Sequence, residues 1–210
     1  MKRFMTVFCM LGLLALMSGS AYAFDPHFYV SGTAKWNQPT GDFGNALDDF
    51  TEDIRSGNAD AAIGGEIDLG IVHRYGQAYV GYNMVEFKEK SEGLEWSGNS
   101  RAIAGFRWFI IPNLATAVVP TLGGGISVGR DKATIKNPQD NGVLEEIEAA
   151  NSFGWFAEAG ANFRILPSHV MIQAGLQYHR YNTEFTDSFT ENAKLSVSYM
   201  SGLVGLAYYF

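Results

Sequence analysis

Charged residues that fall on one parity of extended segments are the most chemically suggestive feature of this 210-residue chain. Glu66 and Asp68 are two positions apart, Arg101 and Arg107 share a parity, and so do Glu158 and Arg164. Successive side chains of a strand point to opposite faces, so each pair presents its charges on a single face of its segment. Lys35, Gln173, Gln177 and His179 join them on the register argued below. Acids and bases gathered on facing strands either neutralise one another as a buried network or line a narrow ion path. The network is the preferred reading, because an unpaired buried charge costs several kcal/mol. Asp68 and Arg107 each lie about four residues from a tight turn and are expected at similar depth. Glu158 is expected higher, nearer the level of Arg101.

Nucleophilic catalysis finds less support. It needs a Ser or Cys activated by a positioned base, itself oriented by an acid. The histidines are His27, His73, His169 and His179. Ser168 and His169 are adjacent but sit in a turn, and His179, with Tyr181, Ser188 and Glu191 in reach of its loop, points inward on parity. The expectation is a hydrogen-bonded interior histidine and no enzyme activity. The run Thr121-Leu122-Gly123-Gly124-Gly125 lacks the Lys-Ser/Thr ending and the following helix of a phosphate loop. Its glycines are expected to relieve crowding or permit a bend. Asp42, Asp48, Asp49, Glu52 and Asp53 against Arg55, and Asp131, Asp140, Glu145, Glu146 and Glu148 against Lys132 and Lys136, make two acidic stretches. They are expected to be solvated. Neither has the spacing of a calcium loop, so no metal and no cofactor is assigned.

At the front, Lys2 and Arg3 precede an apolar run from Phe4 to Met17, and Ser18 to Ala23 ends in an A-x-A pattern. This is the layout of a cleaved export signal over 1–23, with the mature domain at 24–210. The apolar run falls short of the roughly 20 residues that span a bilayer. Cys9, the single cysteine, lies inside it, so the mature domain has no disulfide. Removing Lys2 and Arg3 turns the formal charge of −7 into −9, a balance that argues against nucleic acid as a partner.

The remaining chain reads as strands. From Ala61 to Val72, Ile63, Gly65, Ile67, Leu69 and Ile71 oppose Ala62, Gly64, Glu66, Asp68 and Gly70. From Arg101 to Ile111, Ala102, Ala104, Phe106, Trp108 and Ile110 oppose Arg101, Ile103, Gly105, Arg107 and Phe109. From Phe153 to Ile165 an apolar parity opposes Gly154, Phe156, Glu158, Gly160, Asn162 and Arg164. Phe28 to Trp36, Gln77 to Phe87, Ala115 to Gly129, Val170 to Tyr181 and Lys194 to Phe210 complete eight segments. Tight turns at 73–76, 111–114 and 166–169 alternate with longer polar connections at 37–58, 88–96, 131–150 and 182–193. Trp36, Tyr82, Trp108, Phe153, Trp155, Tyr178 and Tyr208 fall near strand ends, where two interfacial aromatic girdles would lie.

The last strand ends Leu206-Ala207-Tyr208-Tyr209-Phe210, with Leu206, Tyr208 and Phe210 on its outward parity. This ending resembles the insertion signal of bacterial outer-membrane barrels. Together with the export signal, eight strands and alternating connections, the mature chain resembles the small outer-membrane barrels of the OmpA and OmpX type. The resemblance implies an all-β, eight-stranded antiparallel up-and-down transmembrane barrel in the cell outer membrane. It also implies contact with outer-membrane lipid and lipopolysaccharide and handling by the barrel-assembly machinery; the acidic long connections themselves are where an extracellular ligand is expected. A soluble lipocalin-like barrel is the competing architecture, with its apolar parity turned inward. On the membrane reading the lumen charge network comprises Glu66, Asp68, Arg101, Arg107, Glu158, Arg164 and His179. A structural or surface-interaction role ranks ahead of a narrow channel for small or apolar solutes, and that ahead of a lipid-modifying enzyme.

Overall fold

A computed structural model describes residues 27–40, 62–88, 94–111, 117–136, 143–148, 151–165, 169–185 and 193–210. The segment 1–23 expected to be an export signal, the first acidic stretch at 42–55, Asp140, Ser188 and Glu191 lie outside the described residues. The strands are β1 (His27–Pro39), β2 (Ala62–His73), β3 (Gly76–Lys88), β4 (Leu94–Phe109), β5 (Val118–Gly129), β6 (Lys132–Lys136), β7 (Val143–Glu148), β8 (Ser152–Ile165), β9 (Val170–Phe185) and β10 (Ala193–Tyr209).

Eight of them, β1 to β5 and β8 to β10, close into an antiparallel barrel. Each pairs with its neighbour in sequence order, and β10 returns to β1 from Tyr29 opposite Tyr209 to Pro39 opposite Tyr199. All eight expected strands are therefore present. The third polar connection departs from expectation, since β6 and β7 form a hairpin inside it. Gly129 pairs with Ser152 at the top of β5 and β8, and Lys132 pairs with Glu148 just beyond. The hairpin thus prolongs the β5–β8 ladder, and β6 also pairs with Leu94 to Ser97, the early start of β4. Its acid content made this stretch read as a solvated loop, yet Ala133, Ile135, Val143 and Ile147 supply enough β-forming residues for a ladder.

The faces follow the alternation in sequence, inverted from a soluble protein. Ile63 is 84% exposed and Phe28 and Trp108 more than 60%, whereas Asp68, Gln77 and His179 are 0% exposed. An apolar exterior wrapped around a charged interior suits hydrocarbon outside and excludes the lipocalin arrangement. The aromatic residues Trp36, Tyr82, Phe153, Trp155 and Tyr178 lie toward the long-connection end of this exterior, and Phe28, Trp108 and Tyr208 toward the tight-turn end. The lumen is layered. Ala62, Val85, Phe87, Tyr181, Val197 and Tyr199 pack together toward the long-connection end. Tyr29, Val72, Tyr79, Ile103, Phe109, Val119, Phe156 and Ala207 pack toward the tight-turn end. Charged side chains are held between and beside these two apolar groups.

Candidate functional site: the charged lumen

Arg107 on β4 is the centre of the lower charge layer. Its Nε donates to Glu158 Oε1 at 2.6 Å and its Nη2 to Glu158 Oε2 at 3.4 Å, a two-pronged contact across to β8. The same Nη2 reaches Asp68 Oδ2 at 3.4 Å and Glu66 Oε1 at 3.5 Å on β2. The guanidinium carbon lies 4.2 Å from the centre of the Tyr79 ring on β3, a cation–π contact. Ser31 on β1 donates to Asp68 Oδ2 at 3.1 Å.

Lys35 on β1 carries the second positive charge. It pairs with Glu66 Oε2 and donates to Gln177 Oε1 at 2.5 Å and Asn83 Oδ1 at 3.2 Å. Gln177 in turn donates through Nε2 to Glu158 Oε2 at 3.2 Å, tying the lysine and arginine groups into one network. Six barrel strands contribute to it. Its formal charge is uneven, with three carboxylates, Glu66, Asp68 and Glu158, against Lys35 and Arg107.

Glycine makes the close approach geometrically feasible. A Cβ on Gly123 would lie 2.4 Å from Phe106 O and 2.8 Å from Glu158 Oε1. One on Gly81 would lie 2.2 Å from Asp68 Oδ1. Both glycines occupy inward positions beside a network carboxylate, and at Gly123 this is the crowding expected of the glycine run.

His179 sits between two rings, stacked 4.8 Å from Tyr199 and 5.2 Å from Phe156. Its Nε2 is 2.6 Å from Gln177 Oε1. That oxygen can only accept, so Nε2 carries the hydrogen and Nδ1 is left as an acceptor. No hydroxyl nucleophile is placed on it among the described residues, and it orients Gln177 within the network.

A second ionic group lies nearer the long-connection end. Arg101 is stacked over Tyr181 at 3.6 Å, donates to Ser152 Oγ at 2.9 Å and Ser152 O at 3.1 Å, and reaches Asp131 Oδ1 at 3.5 Å. Tyr181 donates to the same Asp131 oxygen at 3.1 Å. Asp131 was expected on a solvated acidic surface but is 1% exposed, held just before β6 as the partner of Arg101 and Tyr181. Burial pushes its carboxyl above the ordinary carboxylate range, and Arg101 opposes that rise.

The expected depth of Glu158 is corrected. It meets Arg107 and not Arg101, because Arg107 pairs with Gly123 and Gly123 with Glu158 across the ladder. Barrel strands are tilted and staggered, so residues at unequal distances from their turns become neighbours. Arg164 stands apart from both ionic groups near the tight-turn end, half-buried on the inward parity of β8. Tyr79, Ser31, Asn83 and Ser152 are participants that charge spacing alone overlooks, although their inward parity could have flagged them.

Below the Arg107–Glu158 pair is a cavity of about 20 Å³, room for a single water. Thr121, Asn162 and Gln173 line it, and Asn162 Nδ2 and both amide atoms of Gln173 are buried without a protein partner. Among the described residues no cluster of His, Cys, Asp and Glu has the arrangement to hold a metal ion.

No protein-family model matches the chain, and no curated protein does. Solved structures do. Neisserial surface protein A is similar over 87% of this chain and 97% of its own, with a TM-score of 0.58 at 16% identity. A major outer membrane protein from Thermus thermophilus is similar over 89% of this chain and 100% of its own, with a TM-score of 0.53 at 12% identity. At such identities the likeness is one of fold, and the fold is that of the small outer-membrane barrels.

Proposed function

We propose that this chain is an integral outer-membrane barrel, closed to solutes by its ion-pair layer, with a structural or surface-interaction role and no enzyme activity. The observation that carries this reading is Arg107, which engages carboxylates of β2 and β8 and the Tyr79 ring of β3 at once. A guanidinium so held obstructs the lumen of an eight-stranded barrel, whose interior is only wide enough to be filled by side chains. Export by the signal at 1–23 and recognition of Leu206, Tyr208 and Phe210 by the assembly machinery belong to the same reading. Leu206 and Tyr208 project outward on β10, and Phe210, just past its end, is exposed. The acidic connections then form the contact surface for an extracellular ligand. Folded protein in planar bilayers should show no unitary conductance, and exchanging the acidic connections should leave the barrel folded while removing a surface phenotype. Steady single-channel currents from the unaltered protein would refute closure.

A narrow channel is the second reading. It is favoured by the cavity beneath Arg107 and by the unpartnered amides of Asn162 and Gln173, which need water.

A further inference from the structure

Membrane-facing surfaces of barrels are apolar in the middle and aromatic at the rims, so cations on the outward parity call for an explanation. Arg180 on β9 and Arg130 just past β5 are both exposed and outward. Arg180 pairs across the ladder with Trp155, which is 47% exposed and packs 5.5 Å from the ring of Tyr178. Both aromatics lie on the outward face at the long-connection end, so Arg180 is level with the aromatic rim. Among the described residues no carboxylate pairs with Arg180. Arg130 is oriented by Asn151, whose Oδ1 accepts from its Nε at 2.8 Å, leaving the other guanidinium nitrogens available. The nearest described acid along β9 is Glu184, placed beside Lys194 by the β9–β10 register.

Two inter-strand spacings, across β8, and four residues along the strands separate the arginines, roughly 16 Å between backbones at ordinary sheet spacings. Each side chain can reach several ångströms toward the other. Phe153 and Trp155 on β8 lie between them on the same face. Two guanidiniums spaced this way, with exposed rings between, match an amphiphile that carries two phosphates on one sugar head above apolar tails. Guanidinium recognises phosphate through paired hydrogen bonds, and its charge at a rim attracts anionic lipid. We infer that Arg130 and Arg180, with Trp155 between them, form a binding site for the phosphorylated headgroup of lipopolysaccharide on the outer face of β5, β8 and β9. This assignment rests on the outer-membrane reading, with the long connections on the cell surface.

Native mass spectrometry of the refolded full-length mature chain tests it, using purified lipid A, the same lipid A with both phosphates removed, and phosphatidylglycerol as probes. The unaltered protein should retain lipid A through delipidating detergent and lose it about tenfold more readily when the phosphates are absent. The variant R130Q/R180Q should show the same loss with the intact lipid, and R130K/R180K a partial recovery. A gel shift between unboiled and boiled samples reports folding of each variant beforehand. Absence of that shift in the unaltered protein would overturn the barrel reading itself. A folded double variant that retains lipid A unchanged, or equal retention of phosphatidylglycerol or the dephosphorylated lipid, would overturn the site while leaving the barrel intact. Each arginine substitution is exposed and outside the lumen network, so a variant that folds poorly is replaced by its single-site counterpart R180Q, for which an intermediate loss is expected.

Discussion

Arg107 illustrates how much one side chain can hold when its partners come from several strands. Replacing it by alanine leaves Glu158 and Asp68 without a cationic partner, while Glu66 keeps Lys35, and is expected to cost about 3–5 kcal/mol. Urea unfolding in lipid vesicles, followed by tryptophan fluorescence, measures this; unchanged stability with new conductance would favour an ion path instead. The acids of the network are not equivalent. Glu158 takes two contacts from Arg107 and one from Gln177, whereas Asp68 takes only Ser31 and a longer Arg107 contact, and its Oδ1 is buried without a partner. Glu158→Gln should therefore destabilise by at least about 1 kcal/mol more than Asp68→Asn. Equal effects in the same unfolding experiment would contradict this ranking. At this scale the inward parity of Glu66, Asp68, Arg107 and Glu158 was legible in the sequence, but neither their partners nor the separate position of Arg164 was: the Arg107–Glu158 contact depends on strand stagger, and the Arg101–Asp131 contact on a chain path within a stretch that reads as loop.

Among the elements, β5 and the β6–β7 hairpin carry the clearest consequences. Gly123→Ala places a methyl group against Phe106 O and Glu158 Oε1, the first a backbone atom that cannot swing away. It should destabilise by about 1–3 kcal/mol, the range for overpacking, and the outward Gly32→Ala, with nothing within 4 Å of its Cβ, should be nearly neutral by comparison. Thermal unfolding of the two variants side by side separates local crowding from loss of glycine as such. The hairpin stands beyond the eight barrel strands, so shortening 133–147 to a tight turn should preserve the boiled-versus-unboiled gel shift. Loss of the shift would mean that the hairpin is needed for closure. Strand positions and faces were readable because a one-residue slip would have turned Glu66, Asp68 and Arg107 toward the outside. The hairpin escaped because Glu145, Glu146 and Glu148 break the apolar alternation of a ladder that is only five pairs long.

For the molecule as a whole, the absence of cysteine from residues 24–210 permits a direct map of which surfaces meet water. Single cysteines at Ile67 and Leu206, both exposed on the apolar exterior, should be protected from a charged thiol reagent in vesicles and become reactive after boiling in detergent. Reactivity of the folded, vesicle-embedded protein at both positions would contradict burial in hydrocarbon. The architecture was visible in sequence at this scale because one alternation served every barrel strand. Closure itself was visible only as an expectation from strand number, since no local pattern states that β10 must come back to β1.

That return has a consequence in time. The ladder from Tyr29 opposite Tyr209 to Pro39 opposite Tyr199 joins the two sequence-distant ends of the described barrel, and His27 touches Phe210 across 183 positions. No ring of hydrogen bonds exists until the last strand has been synthesised and delivered. Contacts that remote form slowly. Until then the outward rows of isoleucine, leucine and tryptophan line an open sheet, so on the proposed outer-membrane reading the chain would have to travel unclosed, and pairing of its final strand would be the event that ends its transit.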